Sequence, residues 1–341
     1  MTLPSHSIRS KSVIPPRLFP RLFALLLALF VASAAHAQAP LQKVRLVLDW
    51  AWLPYHAPFL IALDRGYFKD EGLDVEMEQG RGSATSAILV GSGDFDIGHI
   101  NITNAAQAIG KGLPIKVIAV YQHESSASFI GIKGKVTLTG PQSLEHLRIG
   151  STPGGSDVLG MKIFTTINHI PESSLDIISL NADAKTAALL DGRVDVLSGD
   201  SHAYAAIVRG AGKVPVVLAL RDLGVPLLGF GFVANDNFLE HHPDAVRRFL
   251  IAIKKGFAVA QSDPKAACQF MEAKVHLPGS LATCIDYSEG LWQLSTPASS
   301  PTWGEQTPEE WAKLVSTLKE VGELPANANP ANFYTNAFVP H

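Results

Sequence analysis

The sequence predicts an α/β chain of two lobes. Each lobe is a mostly parallel sheet flanked by helices, and two strand-like crossings join them. Three observations carry that expectation. Short apolar runs alternate with helical patterns along the chain. Four such strands with helical crossovers fit between residues 44 and 121, which favours a parallel, doubly wound sheet. Two apolar strands with small residues, Phe129–Lys133 and Leu227–Ala234, stand between the blocks and mark the crossings. With 341 residues, 47% apolar and 17% charged, the chain can bury a large core and is not a disordered protein.

Residues 1–37 read as a signal peptide. Arg9, Lys11, Arg17 and Arg21 precede the apolar run Leu22–Val31 with no acidic residue among them. Ala35-His36-Ala37 fits the small-x-small cleavage rule, which places the mature N-terminus at Gln38. About ten strongly apolar residues are too few to span a bilayer. No Cys follows them to carry a lipid, so a soluble, exported, periplasmic protein is expected. Loss of the leader leaves 24 Lys and Arg against 31 Asp and Glu, a formal charge of −7. No basic block longer than two residues follows, which excludes nucleic acid and anionic membranes as partners.

In the mature chain, strands are expected at Val44–Asp49, Leu73–Glu78, Phe95–Ile100 and Ile115–Tyr121. Helices are expected at Ala57–Lys69, stopped by Gly72, and at Ala84–Val90 and Thr103–Gly110. After the first crossing come a short helix at Ser143–Leu147 and strands at Arg148–Gly150, Asp176–Leu180, Val194–Leu197 and Val214–Leu220. Helices from Gly154 to about His169, at Ala184–Leu190 and at Ser201–Arg209 separate those strands. The remainder is mostly helical: Pro243–Ser262, Pro264–Lys274, Ser280–Trp292 and Pro308–Val321. His241-His242 reads as a solvated helix start before Pro243. The lobes therefore comprise residues 38–127 with 228–341, and residues 128–227. Cys268 and Cys284, 16 positions apart, suit one disulfide in an oxidising compartment, or else two buried thiols. Bonded, they would add about 3 kcal/mol by the chain-entropy argument.

The order Leu48-Asp49-Trp50, His56-Ala57-Pro58-Phe59, Gly66-Tyr67-Phe68 and Glu71-Gly72-Leu73-Asp74-Val75 closely resembles the opening of NMT1/THI5-like proteins. Gly80-Arg81-Gly82-Ser83, Gly93-Asp94-Phe95-Asp96-Ile97-Gly98 and Ser143-Leu144…Ile149-Gly150 resemble that family's next landmarks. The resemblance covers residues 44–260. It implies a type II periplasmic binding fold and a small-molecule solute. It also implies delivery to a membrane permease driven by an ATPase, as part of an ABC import system. The Leu-Asp-Trp…His pattern is most similar to the branch that binds heterocycles such as pyrimidine thiamine precursors. That branch often has Pro-Asn after the Trp, where this chain has Ala51-Trp52-Leu53-Pro54. An aliphatic sulfonate, nitrate or an aromatic carboxylate is the alternative solute.

The candidate ligand-binding residues sit at the carboxyl ends of strands, where open α/β sheets hold ligands. Trp50 and Trp52, two apart, offer rings for stacking on a flat solute, or core packing under the turn. His56 can bond a heterocycle or cap the turn, and Asp49 can bind a ligand amino group or cap locally. Tyr55 has suitable chemistry. Gly82-Ser83 and Gly155-Ser156 open helices, one in each lobe, with free N–H groups for polar oxygens or ordinary capping. Asn101, Thr103, Tyr121, Asp200 and His202 inherit their places from the topology. No catalytic, metal or cofactor group is expected. Gly199-Asp200-Ser201-His202 lacks the closing Gly of a nucleophile elbow, and no His-Glu-x-x-His occurs. The family's eukaryotic relatives, which make the thiamine pyrimidine, carry a Cys-rich motif that two cysteines cannot supply. A non-enzymatic, monomeric binding protein is the expectation.

Overall fold

Val44 and Leu46 are buried while Lys43 and Arg45 face outward, and this alternation sets strand β1 (Gln42–Val47). The computed structural model describes residues 40–340, so the expected signal peptide and cleavage site lie outside the described residues. Strand β1 pairs in parallel with β2 (Leu73–Glu78) and β3 (Ile97–Asn101). Strand β4 (Ile115–Val120) completes the first sheet from the far side of β10 (Phe230–Asn235), giving the order β2-β1-β3-β10-β4. The second sheet holds β5 (Ala127–Ile132), β6 (Arg148–Ser151), β7 (Asp176–Ser179), β8 (Val196–Asp200) and β9 (Pro215–Ala219), in the order β7-β6-β8-β5-β9.

The two sheets share one plan. Each is parallel except for its fourth strand, β10 or β5, which runs antiparallel to both neighbours. Those are the two strands that arrive straight from the other lobe. They enter without a crossover helix, and a parallel neighbour would have required one. Both sheets also carry the same clasp. Arg45 donates its backbone N–H to Asp96 at 2.7 Å, and its guanidinium reaches Asp96 at 2.9 Å and the Gly93 carbonyl at 2.8 Å. Arg148 repeats this with Asp195 at 2.9 and 2.8 Å and the Gly192 carbonyl at 2.8 Å. A bidentate Arg–carboxylate pair is geometrically specific, so the clasps fix the register of β1 against β3 and of β6 against β8.

Local chemistry sets the helix ends. Asn101 and Asp200, the last residues of β3 and β8, accept from the N–H groups of Asn104 and Ala203 and so cap helices Ile102–Gly110 and Ser201–Gly210. Thr307 and Glu310 form a capping box for Pro308–Glu320. The single helix expected over Ala57–Lys69 is two, Ala57–Asp64 and Tyr67–Asp70, because Gly66 turns left-handed at φ 75°. The short helix expected at Ser143–Leu147 is a 3-10 turn at Pro141–Leu144. His241 ends a helix, Asp236–His241, that the sequence reading lacks, and His242 precedes Pro243 of the next.

Helix Pro243–Ser262 lies along Ala57–Asp64, and buried Phe59, Phe232, Phe249, Phe257 and Trp303 fill the space between these helices and the first sheet. A second core includes Phe129 and Phe164 in one lobe and buried Trp311, stacked on Tyr334, in the other. Cys268 and Cys284 are joined in a disulfide with a Cα–Cα distance of 5.9 Å, tying helix Pro264–Lys274 to helix Leu281–Trp292. That helix in turn packs on Ser201–Gly210 of the other lobe, where Arg209 pairs with Asp286 at 2.6 Å. Converting both cysteines to Ser is expected to lower the unfolding free energy by about 2–4 kcal/mol. Urea denaturation of oxidised wild type and the double variant measures it, and coincident curves would deny the staple a structural role.

Candidate functional site

The chain leaves β1 through Leu48 and Asp49, and this turn is pinned to the Gly80–Gly82 segment. The Gly82 N–H donates to the Asp49 carbonyl at 2.8 Å and the Gly80 N–H to the Trp50 carbonyl at 3.2 Å. The Asp49 side chain is therefore held against the sheet, 4% exposed. Tyr55 donates its hydroxyl to one carboxylate oxygen at 2.5 Å. His56 Nε2 at 3.0 Å and His99 Nδ1 at 2.9 Å share the other. Behind them the Tyr121 hydroxyl lies 2.8 Å from His99 Nε2.

Hydrogen bonding fixes the protons. The Leu53 N–H donates to His56 Nδ1 at 3.2 Å, so the His56 proton is on Nε2 and points at Asp49. Burial would push the Asp49 pKa up. The two imidazole donors overcome that and hold it well below the usual carboxylate range. Burial pushes the His56 pKa down against the pull of Asp49, and pushes the Tyr55 and Tyr121 hydroxyls well up, so these groups stay neutral. A buried carboxylate anion results, stabilised by three hydrogen bonds. Asp49, His56 and His99 also bring one ligand-type atom each within 4.8 Å of one another. The His56 nitrogen in that set carries the proton and has no free lone pair, so the arrangement as bonded does not suit a metal.

Above this floor lies a cleft of about 480 Å³ between the lobes. Trp50, Trp52, Tyr55 and Gln79 line one jaw, and the Trp52 backbone N–H donates to Gln79 Oε1 at 2.9 Å. Ser156, Asp157, Lys185, Asp200 and Tyr204 line the other. Lys185 is 2% exposed and donates to Asp157 at 3.0 Å and to the Ser198 carbonyl at 2.7 Å, 5.3 Å from the centre of the Tyr204 ring. Burial would lower its pKa, but Tyr204 and Asp157 raise it, so the ammonium stays charged and paired. Asp200 accepts from the Ser126 hydroxyl and the Ala203 N–H, and burial raises its pKa.

The structure brings together Asp49, Trp50, Trp52, Tyr55, Ser156 and Asp200 on the main cleft. Asn101 and Thr103 meet Ser156 and Asp200 in a cavity of about 30 Å³ beside the crossings. The Thr103 hydroxyl donates to the Leu228 carbonyl and accepts from the Leu228 N–H, both at 3.0 Å. His56 and Tyr121 lie behind the wall, 0% and 1% exposed, because the Asp49–His99 network uses their polar atoms. Ser83 accepts from the Asn101 N–H, and the His202 ring abuts Gly290 of the packed helix. Gly82 and Gly155 open their helices and are not among the residues lining the cleft. A methyl group on Gly82 would fall 2.2 Å from the Gly154 carbonyl oxygen, so the lobes touch there. Sequence reasoning missed His99, Gln79, Lys185, Tyr204, His276 and Tyr287. His99 had one legible signal, an imidazole inside the apolar run Ile97–Ile100.

The NMT1/THI5-like family model matches residues 53–267, more than half of the chain. The chain belongs to that family. Among curated relatives, the 4-amino-5-hydroxymethyl-2-methylpyrimidine phosphate synthase THI13 of Saccharomyces cerevisiae is 26% identical, over 87% of this chain and 88% of its own. The riboflavin-binding protein RibY of Chloroflexus aurantiacus is 25% identical, over 91% and 89%. The periplasmic aliphatic sulphonate binding protein SsuA of Escherichia coli shares the fold, with a TM-score of 0.67 at 14% identity, over 86% and 92%. The architecture is the type II periplasmic binding fold.

The Asp49 network makes a signed prediction. Asp49→Asn cannot accept from three donors and sets an amide N–H against one of them, which is expected to cost about 2–4 kcal/mol at neutral pH. A carboxylate whose pKa is lowered on folding stabilises above its unfolded value of ~3.9 and gives this up as the pH falls toward its folded value. The gap between wild type and Asp49→Asn should therefore narrow below about pH 4. Denaturation midpoints measured from pH 7 to pH 3 test it, and a gap that stays constant or widens in acid contradicts the assignment.

Proposed function

We propose that the protein is the non-enzymatic solute-binding component of an ABC importer. In this reading it captures a small flat heterocycle bearing amino groups, such as a pyrimidine thiamine precursor, between its lobes. It then hands the solute to a membrane permease driven by an ATPase. The lobes are residues 38–127 with 228–341, and residues 128–227. One observation carries the reading: the cleft offers indole rings and carboxylates, and its lysine is already spent on Asp157.

Asp49, Asp157, Asp183 and Asp200 all line it. A sulfonate, nitrate or carboxylate buried there would need a cation to offset its desolvation. An amino-substituted ring instead brings donors to carboxylates and a π-face to Trp50 and Trp52. The volume suits a ring-sized solute better than a single small anion. Contact of Gly82 with Gly154 is what closure of hinged lobes around a solute would produce. A periplasmic location fits the expected leader and a disulfide of the kind oxidising compartments permit.

The synthase name of the yeast relative raises an enzyme as the competing class. Both cysteines of this chain are in one disulfide, so neither is available for a Cys-rich motif. The Ser201 hydroxyl and His202 Nε2 are both buried and unpartnered among the described residues, so Ser201 has no general base.

Isothermal calorimetry against 4-amino-5-hydroxymethyl-2-methylpyrimidine, riboflavin, an alkanesulfonate and nitrate tests the proposal. A heterocycle is expected to bind with micromolar or tighter Kd, and the two anions not at all. Trp50→Ala is expected to weaken that binding about fivefold, the equivalent of about 1 kcal/mol of stacking. Tight binding of an anion with no heterocycle bound would reverse the assignment.

A further inference from the structure

The floor of the cleft is hydrogen-bonded throughout, but one group facing it is not. Tyr55, Tyr121 and Lys185 all have partners. Tyr287 is 2% exposed, and its hydroxyl has no partner among the described residues. A buried hydroxyl left unpaired costs about 1–3 kcal/mol, so it calls for a partner that the protein does not itself supply. Tyr287 lines the cleft, its ring edge-on to Tyr55 at 6.0 Å, and its hydroxyl lies in the field of Asp200 and Asp49 from opposite jaws. Burial first, and those two carboxylates next, keep the phenol neutral, so it can donate.

Tyr287 does not come alone. His276, Pro278 and Gly279 line the same cleft from the loop before its helix. All four residues lie beyond the stretch matched by the family model, which ends at residue 267. The Cys268–Cys284 disulfide fixes the helix that carries Tyr287, one turn before it.

We propose that residues 276–287 form a third wall of the cleft, and that the Tyr287 hydroxyl donates a hydrogen bond to an acceptor on the solute. The proposal rests on the solute-binding reading above and sharpens it. The recognised edge then combines an amino donor, taken by a cleft carboxylate, with a ring nitrogen or carbonyl oxygen taken by Tyr287. Aminopyrimidines and flavin-like rings carry such acceptors, and a purely aliphatic amine does not.

Tyr287→Phe removes the one atom concerned and keeps the ring. In solute-free protein its melting temperature is expected to equal or exceed that of wild type, because an unpaired hydroxyl is being deleted. A melting temperature lower by several degrees would show that the hydroxyl serves the fold and would overturn the proposal. Against whichever heterocycle of the panel binds wild type, Tyr287→Phe is expected to weaken binding about tenfold. An unchanged Kd overturns the third wall, and Trp50→Ala measured alongside tells that failure from a failure of the solute reading. Should wild type bind none of the panel, the solute reading falls, and the melting comparison still decides whether the Tyr287 hydroxyl belongs to the fold.

Discussion

A carboxylate taken out of water must be paired or lose its charge, and the first jaw of this protein is built around that constraint. Asp49 is placed where β1 ends, and Tyr55, His56 and His99 converge on its two oxygens. Much nearby follows from that. The 3-10 turn Pro54–His56 has to bring two of the donors round, β3 has to present His99 inward, and Tyr121 has to complete His99 from β4. The strand ends of one sheet are thereby tied into a single polar unit below Trp50 and Trp52. These hydrogen bonds keep Asp49 ionised, and its field reaches Tyr287 on the cleft wall. The same group that organises the fold thus biases which solutes the cleft tolerates.

The second jaw solves its burial problem differently. Lys185 and Asp157 cancel one another, and Asp200 is occupied in capping a helix. One jaw holds an anion by hydrogen bonds, and the other an internally neutral pair beside a carboxyl group whose pKa burial has raised. Among the residues lining the cleft, Lys185 is the one lysine or arginine, and it is paired with Asp157. The polar lining of the cleft consists mostly of carboxylate oxygens and hydroxyls.

The fold was legible because its signals are local. Alternation in β1, Pro243 and Pro264 at helix starts, and Gly72 and Gly192 after helices each act within a few residues. Repetition of the same order then defined two lobes. The candidate site was only half legible. Residues at the ends of β1 and β8 could be placed from topology alone, so Asp49, Trp50 and Asp200 were within reach. His99 and Lys185 were not, since each is decided by a partner across the sheet or down a strand: Asp49 is 50 positions from His99, and Asp157 is 28 from Lys185. Tyr287 sits in a helix whose amphipathic pattern gives no hint that one ring leaves the core for the cleft. His56 and Tyr121 had suitable chemistry for ligand contact, and only the three-dimensional network reveals that their polar atoms are already used.

The duplicated arginine clasp has a mechanical consequence. The first sheet locks β1 to β3 through Arg45 and Asp96, and the second locks β6 to β8 through Arg148 and Asp195. Neither lock draws on a residue of the opposite lobe. Strain applied at the cleft is therefore not relieved by slippage inside either sheet. It passes instead to the two crossings and to the packed helices Leu281–Trp292 and Ser201–Gly210.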